Sequence, residues 1–346
     1  MQYTLITIQQ KKEWVDYIKR SAEYDFYHTW HYHALDESGS PILFVYQEAT
    51  DFIAFPLIRR KIEDSTLSDL SSVYGYTGPV SNLKFEQLSE GFMDRFKLIF
   101  LSFLKQEEHV SVFSRLHPLF QQCLLLERFG GLYDNGKTIC IDLSVPIEQQ
   151  RKKYKKNIYE SIKKSWKAGL RVVESKKIAD ISTFREIYKE NMLRIGASDY
   201  YHFSLRYFLD LLGTDEFDCR LILVYDGEEA ISGSIVTFTG NIAQCHLMAT
   251  RTKYLNNSPA KFLIDEISLI GRKCGMRYYH LGGGLGFKED SLFKWKSGFS
   301  DLLLNYKSWR FVINVPQYQS LVQKTGMTLC NEVDFFPLYR YPIQKL

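Results

Sequence analysis

The hydrophobic positions of this chain change period several times, and the changes set out two stretches with the same order of elements. The opening at 1–6 reads as a first strand, and residues 11–22 and 26–35 then repeat their apolar positions at helical spacing. From Pro41 the period drops to that of strands. The runs 42–46, 52–59 and 67–74 are β-rich and separated by polar turns, which predicts an antiparallel meander. A helix follows in which Phe92, Phe96, Phe100 and Phe103 recur at spacings of three and four, then a strand at 110–116 and a helix ending at Phe129-Gly130-Gly131. The second stretch predicts helices at 148–167 and 184–195, then strands at 221–225, 231–238 and 242–250 joined by turns at Asp226-Gly227 and Gly240-Asn241. A helix over 259–273, a strand at 277–281 and a short helix closing at Gly298-Phe299 complete the repeat. Strands at 302–306 and 310–315, a helix at 317–324 and an aromatic tail most simply finish the second stretch. The predicted fold class is α/β, with domains at 1–145 and 146–346, each a mixed, mainly antiparallel sheet flanked by helices.

Composition fits that division. With 346 residues, 45% of them hydrophobic and 24% charged, the chain is ordinary in usage and too long for one core. Its 24 Phe and 23 Tyr suit cores and clefts built of flat side chains whose hydroxyls can double as hydrogen-bonding groups. A net charge of only +4 means that any anion site must come from local clustering. One cluster exists over 151–167, where Arg151, Lys152, Lys153, Lys155, Lys156, Lys163, Lys164 and Lys167 surround a docking stripe of Tyr154, Ile158, Ile162 and Trp166. It is either a solvated face or a place for a polyphosphate or the acceptor stem of a tRNA.

Six cysteines are scattered singly, without metal-ligand spacing, which predicts reduced thiols in a cytoplasmic protein with no metal site. His28, His31 and His33 put no two rings at i, i+4 and do not alter that. The first residues lack the order of a signal peptide. The longest apolar run, 96–104, is interrupted by Lys97 and Ser102 and falls far short of the roughly 20 residues of a bilayer span, so no transmembrane segment is predicted.

Candidate chemistry gathers late in the chain. Asn257-Ser258-Pro259 places a good N-cap before a proline at the first helical position, leaving N–H groups and a positive dipole end for a phosphate. Gly282, Gly283 and Gly284 clear every side chain from the end of a strand. A dinucleotide fingerprint is excluded, because Phe287 stands where its third glycine would fall. His246, which alternates with Gln244 and Met248, and His280, just before the glycines, are candidate bases, although a buried strand histidine bonded to a neighbouring element is the commoner arrangement. No Ser-His-Asp or Cys-His arrangement stands out, which argues against a covalent acyl-enzyme. Earlier in the chain, Gly75 and Gly78 around Tyr76 make a turn able to present a ring to a sugar or peptide. Tyr201, His202 and Arg206 come after a turn-like segment and suit either an acceptor phosphate or a structural aromatic cluster.

The meander, the capped helix, the strand and the helix ending in Gly298-Phe299 together resemble the GNAT acyltransferase fold. Two such stretches in tandem, with Phe113-Ser114-Arg115-Leu116-His117-Pro118-Leu119 in the first and His280 to Gly284 with Phe293-Lys294 in the second, resemble the Fem-type transferases. Those are aminoacyl-tRNA-dependent enzymes that build peptidoglycan cross-bridges, with FemAB-like relatives. This chain looks like their compact form, without the inserted helical arm. The resemblance implies a donor site at Asn257, Ser258, Gly282 to Gly284 and Phe293, and an acceptor side at Trp30, Tyr74, Tyr76, Arg115 and His117 with Tyr201, His202 and Arg206. It places Lys294 where conventional GNAT proteins keep a general-acid tyrosine, so that its cation would stabilise an oxyanion or leaving group. The loop 254–260 departs from the family pattern in having no glycine, which puts pyrophosphate cradling in doubt. The implied activity is N-acyl transfer from acyl-CoA or aminoacyl-tRNA, neither tightly bound, to an amine of a small or lipid-linked cell-envelope or polysaccharide precursor. The alternative is a non-catalytic module that binds a sugar or peptide.

Overall fold

In a computed structural model that describes residues 3–327 and 333–341, the chain divides into two units, Met1–Asn135 with Asn305–Leu346, and Gly136–Leu304. The first unit opens with β1 (Tyr3–Thr7), α1 (Lys11–Arg20), α2 (Trp30–Ala34), the hairpin β2 (Ser40–Glu48) and β3 (Asp51–Lys61), β4 (Ser68–Ser71) and β5 (Val80–Ser81). It continues through α3 (Glu90–Gln106), β6 (His109–Arg115) and α4 (Cys123–Leu126), and the chain passes to the second unit within β7 (Leu132–Asp142). Next come α5 (Ile147–Lys153), α6 (Lys156–Lys167), β8 (Arg171–Ser175), α7 (Ile178–Ile195), α8 (Leu205–Leu212), β9 (Asp218–Asp226), β10 (Glu229–Thr239), β11 (Ile242–Thr250), α9 (Pro259–Lys273), β12 (Tyr278–Gly282) and α10 (Ser291–Lys296). The chain returns to the first unit within β13 (Leu302–Val312), and α11 (Val315–Lys324) packs there.

Both sheets share one plan. In the N-terminal unit β1, β2, β3 and β4 pair antiparallel in turn, β4 and β6 run parallel across the crossover helix α3, and β13 closes the sheet antiparallel to β6. In the C-terminal unit β8, β9, β10 and β11 pair antiparallel, β11 and β12 run parallel across α9, and β7 closes antiparallel to β12. A parallel neighbour cannot be reached by a hairpin, so each crossover helix has to be amphipathic and lie against its sheet. The phenylalanines of α3 do this: Phe92, Phe96, Phe100 and Phe103 are buried on Phe44, Phe55 and Trp309. In the C-terminal unit Leu263 and Ile267 of α9 pack with Ile139, Tyr279, Phe293 and Phe299, and with Ile158 and Ile162 of α6.

The expected class, mixed sheets flanked by helices, is the one observed; several boundaries differ. The sequence places the seam at 145/146 and gives 301–346 to the second stretch, whereas the contacts of 305–346 lie with the N-terminal unit, because Trp309 sits in that unit's core. The helix predicted at 148–167 is two helices broken at Tyr154-Lys155. The helix predicted at 26–35 is a single turn at Phe26–His28 and then α2, since Thr29 caps the second start through its hydroxyl. The two strands predicted at 302–306 and 310–315 are one. Periodicity does not find β7, whose middle reads Asp134-Asn135-Gly136-Lys137, nor β8 or α8. Among the described residues no helix is long and apolar enough to cross a membrane. The five cysteines among them are free thiols; Cys330 lies outside.

Burial keeps four histidines of the N-terminal unit neutral. It lowers His28, His33 and His109 from 6.5 to about 4 and pushes His117 down as well, while the Asp25 carboxyl bonded to His117 is pushed up. A lowered histidine contributes stability that is complete above its unfolded pKa of about 6.5 and is lost as pH falls toward 4; a raised carboxyl loses its contribution as pH rises. Four histidines oppose one aspartate, so the denaturant midpoint of this unit is expected to fall steadily from pH 6.5 to 4.5. A flat profile over that range would contradict the buried neutral rings.

Candidate active site

The parallel ladder in the C-terminal unit is short. Ile242, Ala243 and Gln244 of β11 pair with Tyr278, Tyr279 and His280 of β12, and there the pairing stops. On one side β11 bulges at His246, since Val236 pairs with Cys245 and Ile235 with Leu247. On the other β12 bulges before Gly282, which takes a φ of +74°, and the chain leaves the sheet through Gly283 and Gly284. Gly284 has no room for a side chain, because a Cβ would lie 2.2 Å from the Lys288 carbonyl oxygen and 2.3 Å from Asp290 Oδ1.

Asp290 fixes both the loop beyond the glycines and the helix after it. Its Oδ1 accepts the Phe293 N–H at 2.8 Å and its Oδ2 the Leu285 N–H at 3.1 Å, so one carboxylate caps α10 and ties down the loop. These backbone donors hold its pKa below the ordinary carboxylate value. With Asp290 as cap, Phe293 turns into the core and the residue three further on falls on the same face. That residue is Lys296. Its Nζ donates to the Gly283 carbonyl oxygen at 2.9 Å, and no other acceptor among the described residues takes its remaining protons. Burial lowers the Lys296 pKa, with Cys245 and Asp290 acting in the opposite direction. The ammonium thus stands where β11 and β12 part, bonded to the end of one strand and close to Cys245 on the other.

Apart from the Asp290 carboxylate, the groups around it are neutral. Burial raises the Cys245 pKa, against a smaller pull from Lys296, so Cys245 is a thiol and a poor nucleophile. The buried Tyr279 hydroxyl adjoins it, and Ser234 Oγ is 3.8 Å from its sulfur.

Few of the predicted site residues share this gap. Lys294 is exposed on α10 and its ammonium makes no hydrogen bond among the described residues, because two residues along a helix is more than half a turn away from Lys296. His280 is fully buried, with Nδ1 2.7 Å from Gln244 Oε1 and Nε2 2.8 Å from Thr138 Oγ1. The amide oxygen only accepts, so Nδ1 carries the proton and Nε2 takes that of Thr138. The ring ties three strands together. His246 sits at the bulge with Nε2 3.2 Å from the Tyr207 hydroxyl, and burial lowers it to about 3, which makes it a weak base. Ser258 does not cap α9 through its side chain: it has a φ of +50° and no side-chain bond to the helix start. Asn257 is exposed in the preceding turn. Tyr201 is half-buried, His202 is exposed, and Arg206 is exposed and paired with Asp210 at 2.6 Å. In the N-terminal unit the Trp30 indole N–H donates to the Ile8 carbonyl, Tyr76 packs edge-on to His117, and Arg115 lies beside Tyr74. His117 is buried against Phe120, with Nε2 3.2 Å from Asp25 Oδ2.

Of the basic cluster, Arg151, Lys153 and Lys163 are paired with Asp265, Asp301 and Glu160. Lys152, Lys156, Lys164 and Lys167 stay exposed. A cleft of about 550 Å³, lined by Leu143 to Ile147, Arg272 and Gly275 to Arg277, opens at the start of β12 rather than at its glycine end. Its Arg272 is already held by the carbonyls of Leu143 and Val145 and by Gln150.

A crossover helix between two parallel strands that part, with a half-buried cation in the gap, is where the known proteins bear on the chain. Residues 152–296 match the family model described as an acetyltransferase (GNAT) domain. This segment is a GNAT domain. No curated protein matches the sequence. Among solved structures, FemX is similar over 92% of this chain and 99% of its own, at 13% identity and a TM-score of 0.71. L-PGS from Bacillus licheniformis covers 90% and 96%, at 12% and 0.60. The C-terminal domain of a putative lysylphosphatidylglycerol synthetase from Agrobacterium fabrum covers 90% and 92%, at 14% and 0.56. At these identities what is shared is the fold, and it extends beyond the GNAT domain to nearly the whole chain.

The cap in this GNAT domain is testable by itself. Asp290→Ala is expected to lower stability by about 1 kcal/mol in denaturant unfolding, and Asp290→Asn, which can still cap, by a few tenths. Equal losses for the two would shift the role of Asp290 from hydrogen bonding to charge.

Proposed function

We propose that the chain is an N-acyltransferase and that Lys296, rather than Lys294, supplies the charge that the transfer requires. One observation carries this reading: a half-buried ammonium in the fork of a GNAT domain, given a single protein acceptor at Gly283. An amine that attacks an activated acyl group forms a C–N bond and leaves an oxyanion on the carbonyl carbon. That oxyanion is the acceptor Lys296 lacks in the free protein, and a fixed donor there favours the transition state over the ground state. As the tetrahedral species collapses, the C–O or C–S bond to the leaving group breaks, and the proton of the new ammonium passes to the leaving group or to water. With Cys245 a thiol and the His280 ring fully engaged, direct transfer fits better than a covalent acyl-enzyme.

The acceptor we propose is an amine on a small or lipid-linked cell-envelope precursor. The fold likeness to FemX, to L-PGS and to the putative lysylphosphatidylglycerol synthetase supports this class. The donor is an acyl thioester of CoA or an aminoacyl ester of tRNA. The exposed lysines Lys152, Lys156, Lys164 and Lys167 favour the second, and the GNAT domain favours the first.

Lys296→Ala is expected to lower kcat by about 10²–10³-fold and Lys294→Ala by less than about twofold, measured as product formation with a verified donor and amine. The reverse order would restore Lys294. Because burial lowers the Lys296 pKa and the charged form is the active one, the wild-type rate should fall as pH rises, at a pH below lysine's usual value of about 10.4. For the donor, saturating acetyl-CoA should raise the melting temperature if thioesters bind the folded state. No shift with acetyl-, succinyl- or long-chain acyl-CoA would leave aminoacyl-tRNA.

A further inference from the structure

The arginines of the N-terminal unit share a habit that one of them breaks. Every other arginine of that unit stands within salt-bridge distance of a carboxylate, Arg60 and Arg340 on Asp69, Arg95 on Glu48 and Arg310 on Asp334 among them. Arg115 has no carboxylate among the described residues, although it is half-buried. Its guanidinium carbon lies 5.1 Å from the centre of the Phe113 ring and 5.8 Å from that of Tyr74, and it hydrogen-bonds the buried Tyr306 hydroxyl.

The backbone beneath it is held firmly. Arg115 pairs with Ser308 in the closing strand, its N–H donates to Ser72 Oγ at 3.2 Å, and its carbonyl accepts from Thr77 at 3.0 Å. The turn that carries Tyr74 is equally constrained: Gly75 has a φ of +120°, and a Cβ there would fall 2.0 Å from the Tyr27 ring. A guanidinium that has lost water without gaining a counter-charge is costly to the fold, and its planar fork suits two oxygens of one oxyanion. Rings and backbone that fix it beforehand reduce the ordering cost of binding.

We infer that Arg115 and the Tyr306 hydroxyl form an oxyanion-binding site in the N-terminal unit, walled by Tyr74, which takes a phosphate or carboxylate of the bound acceptor. The inference rests on the acceptor reading only for which molecule carries the anion, since the site makes no use of Lys296.

Isothermal titration of the full chain with inorganic pyrophosphate and, separately, with succinate tests it. At least one of the two is expected to bind the wild type and to bind Arg115→Gln at least tenfold more weakly, with Arg115→Lys intermediate because it keeps charge but loses the fork. Tyr306→Phe should weaken binding less than Arg115→Gln. Pyrophosphate binding alone identifies a phosphate site, and succinate binding alone a carboxylate site. If neither anion binds the wild type, or if both bind Arg115→Gln as tightly, as they would on the lysines at 151–167, the inference is overturned. Should Arg115→Gln fail to give the wild-type melting curve, Arg115→Lys and Tyr306→Phe carry the comparison. Lys296→Ala is expected to bind the anion like the wild type, so failure of the transfer reading and failure of this one are separable.

Discussion

An ammonium taken out of water must be given oxygens, and Lys296 is given one, the Gly283 carbonyl. The surrounding architecture is what makes that possible. The strands must part for the cation to have a place, which requires a bulge in each, and Gly282, with its positive φ, turns the chain out of the sheet just before the carbonyl that the cation bonds. The helix must start at Asp290 for position 296, and not 294, to face the gap. The bulges and the glycine end are local departures from regular sheet that become intelligible only through the charge they surround.

The N-terminal unit handles polarity differently. Its buried groups are mostly neutralised or paired: His28, His33 and His117 by loss of their protons, Asp69 by two arginines and the Tyr339 hydroxyl. Against that background Arg115 is conspicuous. The C-terminal unit has a cation short of acceptors near the end of β12, and this one has a cation at the end of β6, the corresponding strand of the same plan.

The meander, the crossover helices and the Gly-rich strand end can be read from periodicity, because each depends on local spacing. The choice between Lys294 and Lys296 depends on helix phase, and the signal for it is present in the chain: a cap at Asp290 and an apolar Phe293 together place position 296 inward. Resemblance to a closing helix sets the phase two residues early instead. His280 and His246 are legible as strand residues but not as bonded ones, since Thr138 lies 142 residues from His280 and Tyr207 39 from His246. Strand β7 escapes periodicity because its centre is polar and glycine-containing, and its pairing with β12 is not encoded in either segment alone.

That strand and its counterpart β13 alter how the repeat is to be understood. The strand that comes after the first set in the sequence completes the sheet of the C-terminal unit, and the one that ends the second set completes the sheet of the N-terminal unit. A gene fragment cut at the midpoint would therefore encode no entire sheet: residues 1–145 would lack Trp309, and 146–346 would lack Ile139 and Ile141. Two copies of a self-sufficient ancestor joined end to end do not produce this arrangement unless their last strands changed places. Once they had, neither copy could be lost or rearranged without the other, which makes the pair a single unit of inheritance.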